Sequence, residues 1–268
     1  MSTADSWAAA NWNRVLSERS ADVYRFLAWA AHTEQAGDRQ SLRLADRDDL
    51  LALRSVIHLF PQRWWAVCVY SCVDRAEGTR MLARYVPEPV PAELADRLVP
   101  PRTAWPAGMI GTHRAQAGYR GARTCLMSLC AHRETVREIL TANLTFEHAV
   151  EALRQLRAAQ VGRTTAFDLA LHAGQLLHDP PVEPSSAHLH GSTGPAAGFR
   201  TIWGIDPSGD RLQAERAEAI LRLWIAQWHD VADLMGAQWP WQPFSPGDFE
   251  NALCIYQDRR LYPRFGTP

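Results

Sequence analysis

Apolar residues recur every three or four positions along most of this chain, the period of helices that bury one face. From Asp22, the run DVYRFLAWAAHTEQAG sets Tyr24, Leu27, Ala28 and Ala31 on one stripe and stops at Gly37. Residues 46–60 place acids in a first turn, where the partial positive charge of a helix start favours them, and keep Leu50, Leu53, Ile57 and Phe60 at helical spacing. Pro61 suits the opening of a further helix over QRWWAVCVYSCVDRA. Its loose alternation leaves a strand as the second reading, although partner strands are scarce. The pattern predicts more helices over about 121–142, 145–158 (capped by Thr145), 163–178, 211–236 and 246–260. Two stretches interrupt it. Residues 86–120 are proline-rich at 86–107, with one short helix near 91–98, and 179–210 are rich in Gly, Pro, Ser and His. No internal repeat is present. The expected fold is all-α: one helical domain over 1–268, with an N-terminal half of about 1–120 and a half of about 121–268 that carries the informative motifs.

Composition narrows the function more than the fold. The 268 residues are 47% hydrophobic and 21% charged, values of a folded globular chain rather than a disordered one. No apolar run reaches the roughly 18–20 residues of a membrane span. The start, MSTADSWAAANWNR, lacks the basic-then-apolar order of a secretory signal. A cytoplasmic protein with no membrane partner is expected. A net charge of −1 excludes a uniformly basic protein but leaves room for a local basic groove. The sequence contains no lysine. That removes Walker-type kinases, pyridoxal enzymes and Schiff-base aldolases, whose chemistry needs an amine side chain. Cys68, Cys72, Cys125, Cys130 and Cys254 form no Cys-x-x-Cys pair and lie in apolar, helical-looking stretches, so reduced, buried thiols are expected. Cys68 and Cys72 present half a metal site without a second pair. No metal and no cofactor is expected.

Three stretches carry candidate chemistry. In LRAAQVGRTTAFDL, two helices flank a turn built on Gly162, Arg163, Thr164 and Thr165. A helix start exposes unpaired N–H groups and partial positive charge, so such a turn can hold a backbone phosphate, with Arg163 adding a charge-assisted bond. An ordinary helical hairpin has the same outline. In HLHGSTGPAAGFRTIWG, Gly191, Gly194 and Gly198 suggest a loop that lets a ligand approach the backbone, with His188, His190, Arg200 and Trp203 beside it. A linker explains it equally. In PFSPGDFENALC, Asp248, Glu250 and Asn251 fill a first helical turn: caps by one reading, an active-site carboxylate face by the other. Asp168 and His172, four apart on one helix face, form a possible relay or a satisfied core pair. Of the eleven tryptophans, Trp64, Trp65, Trp224 and Trp228 have core spacing, whereas Trp239 and Trp241 sit on a proline-rich segment outside any helix pattern.

Taken in order, these stretches resemble the alpha-glutamyl/putrescinyl thymine pyrophosphorylase family, which is built like the helix-hairpin-helix DNA glycosylases and serves thymine hypermodification, best known in bacteriophages. The matching residues are Gly162 with Thr165-Ala166-Phe167-Asp168-Leu169, then Gly194-Pro195-Ala196-Ala197-Gly198, then Asp248-Phe249-Glu250-Asn251-Ala252-Leu253-Cys254. The likeness covers about 145–260 and fades to a general helical likeness around Tyr24 to Glu34. A glycosylase of this fold carries a catalytic Asp some 20 residues after the hairpin. Here that region reads Val182-Glu183-Pro184-Ser185-Ser186, which points away from ordinary base excision.

The resemblance implies a helix-hairpin-helix DNA glycosylase-like helical fold. It also implies a transferase that replaces the phosphate or pyrophosphate of an activated 5-hydroxymethyluracil in DNA with an amine. The partners would be DNA or a modified nucleotide, and an amino acid or polyamine co-substrate. Asp248, Glu250, Asn251 and Asp168 would be catalytic, and Cys254 is chemically able to act as a transient nucleophile or to be a buried structural thiol. Arg200, Gly194, Gly198 and His190 would bind the leaving phosphate, and Gly162, Arg163, Thr164 and Thr165 the nucleic acid. Two other readings stay open: an N-glycosidase acting on a modified nucleoside, nucleotide or DNA base, and a non-catalytic helical nucleic-acid-binding module. The catalytic reading requires the three stretches to line one cleft.

Overall fold

The structure, a computed structural model, describes residues 2–36, 42–105, 108–111, 118–237, 239 and 242–257. Among these residues it contains fourteen α-helices and no strand. They are α1 (Thr3–Glu18), α2 (Ser20–Ala36), α3 (Asp48–Arg54), α4 (Arg63–Val73), α5 (Ala76–Ala83), α6 (Ala92–Leu98) and α7 (Gly118–Ala131). Then follow α8 (Arg133–Thr141), α9 (Phe146–Gln155), α10 (Arg163–Leu177), α11 (Gly194–Trp203), α12 (Arg211–Ala226), α13 (Trp228–Leu234) and α14 (Pro246–Tyr256).

The chain forms two compact units, one of residues 1–47 and 184–268, the other of residues 48–183. Both ends of the chain therefore build the first unit, from α1, α2 and α11 to α14, and the middle builds the second. Residue 120, where the sequence pattern sets two halves apart, falls within α7 of the second unit.

In the first unit, a capping box starts α1: Ser2 Oγ accepts from the Asp5 N–H and the Asp5 carboxylate accepts from the Ser2 N–H, each at 3.1 Å. Helix α1, not expected from the pattern, buries Ala4, Ala8, Trp12 and Val15 and packs against α12. On α2 the buried face is Val23, Phe26, Leu27 and Ala30, one position round from the predicted stripe. Phe26 anchors an aromatic core: its ring centroid lies 5.4 Å from Trp224, 6.1 Å from Phe249 and 5.1 Å from Tyr256. Trp228 extends the core to Trp224 at 5.7 Å and Phe244 at 5.1 Å. Trp239 joins it 4.9 Å from Trp228 and is buried, so this tryptophan is a packing residue although it lies outside any helix. Trp241 lies outside the described residues.

The second unit is built around α4 and α10, helices buried on every side. All residues 64–73 of α4 and 165–176 of α10 are buried. A helix without a polar face belongs in an interior. That explains the loose alternation that admitted a strand reading for residues 62–76: the segment is helical and ends at Asp74 in the left-handed region.

Three predicted helices are split. Within 46–60, α3 stops at Arg54, where Ser55 Oγ donates to Ala52 O and β-branched Val56 and Ile57 follow. The 121–142 run breaks at His132 into α7 and α8. The 211–236 run breaks at Gln227, whose side-chain oxygen accepts from Trp12 Nε1 at 2.8 Å.

Candidate functional site

Residues 194–203 form α11, which corrects the expectation of a ligand-approaching glycine loop. Pro195 suits a first turn, where its missing N–H costs nothing, and Ser192 Oγ accepts from the Ala196 N–H at 3.1 Å. Gly194 and Gly198 are one turn apart on the face that meets α14. A Cβ at Gly194 would stand 2.5 Å from Cys254 Sγ, and one at Gly198 would fall within van der Waals contact of Leu253 O. The space that glycine leaves is thus filled by α14, not open to a ligand. Gly194 faces the Cys254–Gln257 end of α14, six residues or roughly 9 Å along the helix from Asp248. Cys254 is half-buried against this glycine.

The Asp-Phe-Glu-Asn turn opens α14 with a second capping box. Ser245 Oγ accepts from the Asp248 N–H at 3.1 Å, and Asp248 Oδ2 accepts from the Ser245 N–H at 2.9 Å. Asp248 Oδ1 accepts from the Leu44 N–H at 2.7 Å, and Arg43 Nη1 lies 3.3 Å from Oδ2. These contacts engage both oxygens of the carboxylate. Arg43 also donates to Gln242 O and Pro243 O, pairs with Glu34 at 3.4 Å, and sits 4.8 Å over the Phe244 ring. Glu250 pairs with Arg47 at 3.3 Å, and Asn251 Nδ2 donates to Leu42 O at 3.2 Å. All three candidate residues therefore clamp segment 42–47 to α14. Gly247 packs against Leu44 and Pro184, so the start of α14 touches both segments where the chain leaves and re-enters this unit. The sequence offered no sign of Arg43 as the centre of this cluster, because the contacts span some 200 residues.

His190 and Arg200 are exposed. Arg200 pairs with Asp206 at 2.8 Å, a surface contact of little strength that a competing anion can replace. Between α10 and α11, the Glu218 carboxylate accepts from the Ala187 N–H at 3.0 Å and the Leu189 N–H at 2.9 Å, which fixes the segment leading to His190. Withdrawal from water pushes the Glu218 pKa above its ordinary value of 4.5, against the pull of those two donors.

The hairpin expected at Gly162 is present as α9, a connection over 156–162, and α10. The connection turns through left-handed Arg157 and Gln160, and Thr165 Oγ1 donates to Gln160 O at 2.9 Å. Gly162 caps α10 with no side-chain hydrogen bond, and a Cβ there would meet nothing within 4 Å. Gly162 and Thr164 are exposed, Arg163 is half-buried and Thr165 is buried. Between Ala152 and Phe167 the sequence has three arginines, Arg154, Arg157 and Arg163, and no acid. Arg154 pairs with Glu151 at 3.3 Å, and Arg157 and Arg163 stand at the turn ahead of a helix start without a side-chain cap.

Inside the second unit, Asp168 is buried on α10, and His172 is bonded to residues the sequence did not single out for it. His172 Nε2 lies 3.1 Å from Asp49 Oδ2, and Nδ1 lies 3.2 Å from Ser71 Oγ. A carboxylate only accepts, so Nε2 donates to Asp49, and Nδ1 shares a hydrogen bond with the Ser71 hydroxyl. Ser71 and His172 are each only 1% exposed, which makes this chain a tie between α3, α4 and α10. Glu183, the acid in the 182–186 segment, is exposed. A crevice lined by Leu140, Phe146, Ala170, Ala173 and Val182 has His178 as a polar group, and its Nε2 already donates to Leu140 O.

The chain matches no protein-family model, no curated protein and no solved structure. Among the described residues, no helix is long and apolar enough to cross a membrane.

Proposed function

We propose that this protein docks on the sugar–phosphate backbone of DNA through the α9–α10 hairpin and is a base-modifying transferase. In this reading an amine replaces the phosphate or pyrophosphate of an activated 5-hydroxymethyluracil. The observation that carries it is the hairpin: an exposed helix start with no side-chain cap, a glycine with open space before it, and Arg157 and Arg163 at the turn. Backbone N–H groups at such a start bind phosphate oxygens, and arginine adds charge-assisted bonds.

In the transfer, the methylene C–O bond breaks and the (pyro)phosphate leaves with the electron pair. The amine nitrogen forms the new C–N bond and gives up a proton, which the departing (pyro)phosphate carries away. Arg200 and His190 are the exposed groups this reading assigns to the departing phosphate. Asp248, Glu250 and Asn251 serve it as the clamp on segment 42–47, because their side chains are already engaged there. Gly194 and Gly198 serve it by bringing α11 close to α14.

Titration of a labelled duplex at several salt concentrations tests the docking. Phosphate contacts release counterions, so log K falls linearly with log salt. Arg163→Ala is expected to weaken binding and to reduce the slope by about one. A slope near zero for the unaltered protein, or no change in Arg163→Ala, contradicts backbone docking through this turn.

A further inference from the structure

Along the sequence, residues 97–133 hold six arginines, two histidines and no acid, although the whole chain carries a net charge of −1. The acids that flank this run are taken: Asp96 Oδ1 pairs with Arg123 at 2.6 Å, and Glu134 pairs with Arg133 at 3.7 Å. Arg97, Arg102 and Arg120 are exposed, and among the described residues none of the three makes an ion pair or a side-chain hydrogen bond. They gather at one place in the second unit. Pro100 O accepts from Trp105 Nε1 and from the Tyr119 hydroxyl, each at 3.1 Å, and the two rings meet edge to face with centroids 4.9 Å apart. Arg97 and Arg102 lie within three residues of Pro100, and Arg120 follows Tyr119. One turn further on, Arg123 donates to Asp96 O at 3.2 Å, which ties α7 to the end of α6. Both rings are half-buried, so a fixed aromatic pair stands among three exposed cations.

We propose that this surface binds single-stranded DNA. Phosphates along a strand are the repeated negative charge that separate guanidinium groups neutralise, with release of counterions. Aromatic side chains beside such a charged track take unpaired bases by stacking, and arginine adds cation–π contacts. A duplex keeps its base faces inside its own stack, so the rings favour the single strand. A lipid layer fits less well: α6 has seven residues and carries Glu93 and Asp96, too short and too acidic for a helix that lies among headgroups. The choice of DNA over RNA rests on the proposed function. The surface itself depends neither on docking through α9–α10 nor on the transfer chemistry.

Fluorescence anisotropy of the full chain with labelled oligo(dT), an abasic DNA strand of the same length, and oligo(U) tests it. Oligo(dT) is expected to bind at least about tenfold more tightly than the abasic strand, the difference that a stacked base supplies. A triple variant, Arg97→Ala with Arg102→Ala and Arg120→Ala, is expected to bind oligo(dT) at least about tenfold more weakly. Its slope of log K against log salt is expected to fall by about two, at roughly 0.7 per phosphate on a single strand. Because the three side chains are exposed, its unfolding midpoint is expected to match that of the unaltered protein. Arg163→Ala is expected to bind oligo(dT) as the unaltered protein does. Equal binding of oligo(dT) and the abasic strand overturns the proposal. So does tighter binding of oligo(U) or of phosphatidylserine vesicles, or a triple variant of unchanged affinity. Loss of oligo(dT) binding in Arg163→Ala also overturns it and assigns the strand to the hairpin. Oligo(dT) binding that needs the three arginines, beside a duplex titration unaffected by Arg163→Ala, would count against docking through the hairpin and leave this inference standing.

Discussion

Asp248 and Glu218 show how differently two carboxylates held by backbone donors can be employed. Asp248 is 7% exposed and takes donors from Ser245, Leu44 and Arg43. Asp248→Ala strands the largely buried Arg43 guanidinium and the Leu44 N–H, and is expected to cost about 2–4 kcal/mol in urea unfolding. An Asp248→Ala protein of unaltered stability but abolished activity would instead mark a catalytic acid or base. Glu218 has its pKa raised by burial, so in the pH window above 4.5 the folded state binds more protons than the unfolded state. Its ionisation therefore subtracts stability as pH rises through that window, and the loss is relieved as pH falls back toward 4.5. Urea unfolding at pH 7 and pH 5 is expected to show the unaltered protein gaining stability relative to Glu218→Gln on acidification. A constant difference contradicts it. The capping role of Asp248 was legible in Ser-Pro-Gly-Asp, because a capping box is local. Its bonds to Arg43 and Leu44 were not, nor was the tie of His172 to Asp49 and Ser71, because no local pattern marks partners that lie 100 to 200 residues away.

At the scale of elements, Gly198 and Gly162 stand in opposite surroundings. Gly198 lies under Leu253 O, a backbone atom that cannot swing aside, so Gly198→Ala must push α11 from α14. The expected loss is about 3 kcal/mol in thermal or urea unfolding. Gly162 has open space and a φ of −82°, so Gly162→Ala is expected to leave stability within about 0.5 kcal/mol while its methyl group weakens DNA binding. Equal stability effects at the two positions contradict the division between packing and docking glycines. Helix positions were largely legible from periodicity, as in α9, capped by Thr145 as its sequence suggests, and α10. Helix breaks were less so. The stop at Gln227 involves Trp12 from another helix, and the Gly-Pro-Ala-Ala-Gly run reads as a loop until α14 is seen to fill its small-residue face.

The whole molecule is all-helical in its described residues, as the pattern indicates, but its partition follows contacts that join the two ends of the chain. Composition cannot report that pairing: the residues of Phe26 and of Phe249 carry no mark of meeting 6.1 Å apart. At this scale the proposal is that the chain transfers an amine to an activated base in DNA. The direct measurement is incubation of the protein with duplex DNA carrying phosphorylated or pyrophosphorylated 5-hydroxymethyluracil and a panel of amino acids and polyamines, followed by nucleoside mass spectrometry. The account predicts a new nucleoside whose mass equals the 5-methyleneuracil deoxynucleoside plus one amine, formed with matching release of phosphate or pyrophosphate and diminished in Arg163→Ala. No adduct across the panel, or release of free base with no amine consumed, contradicts it.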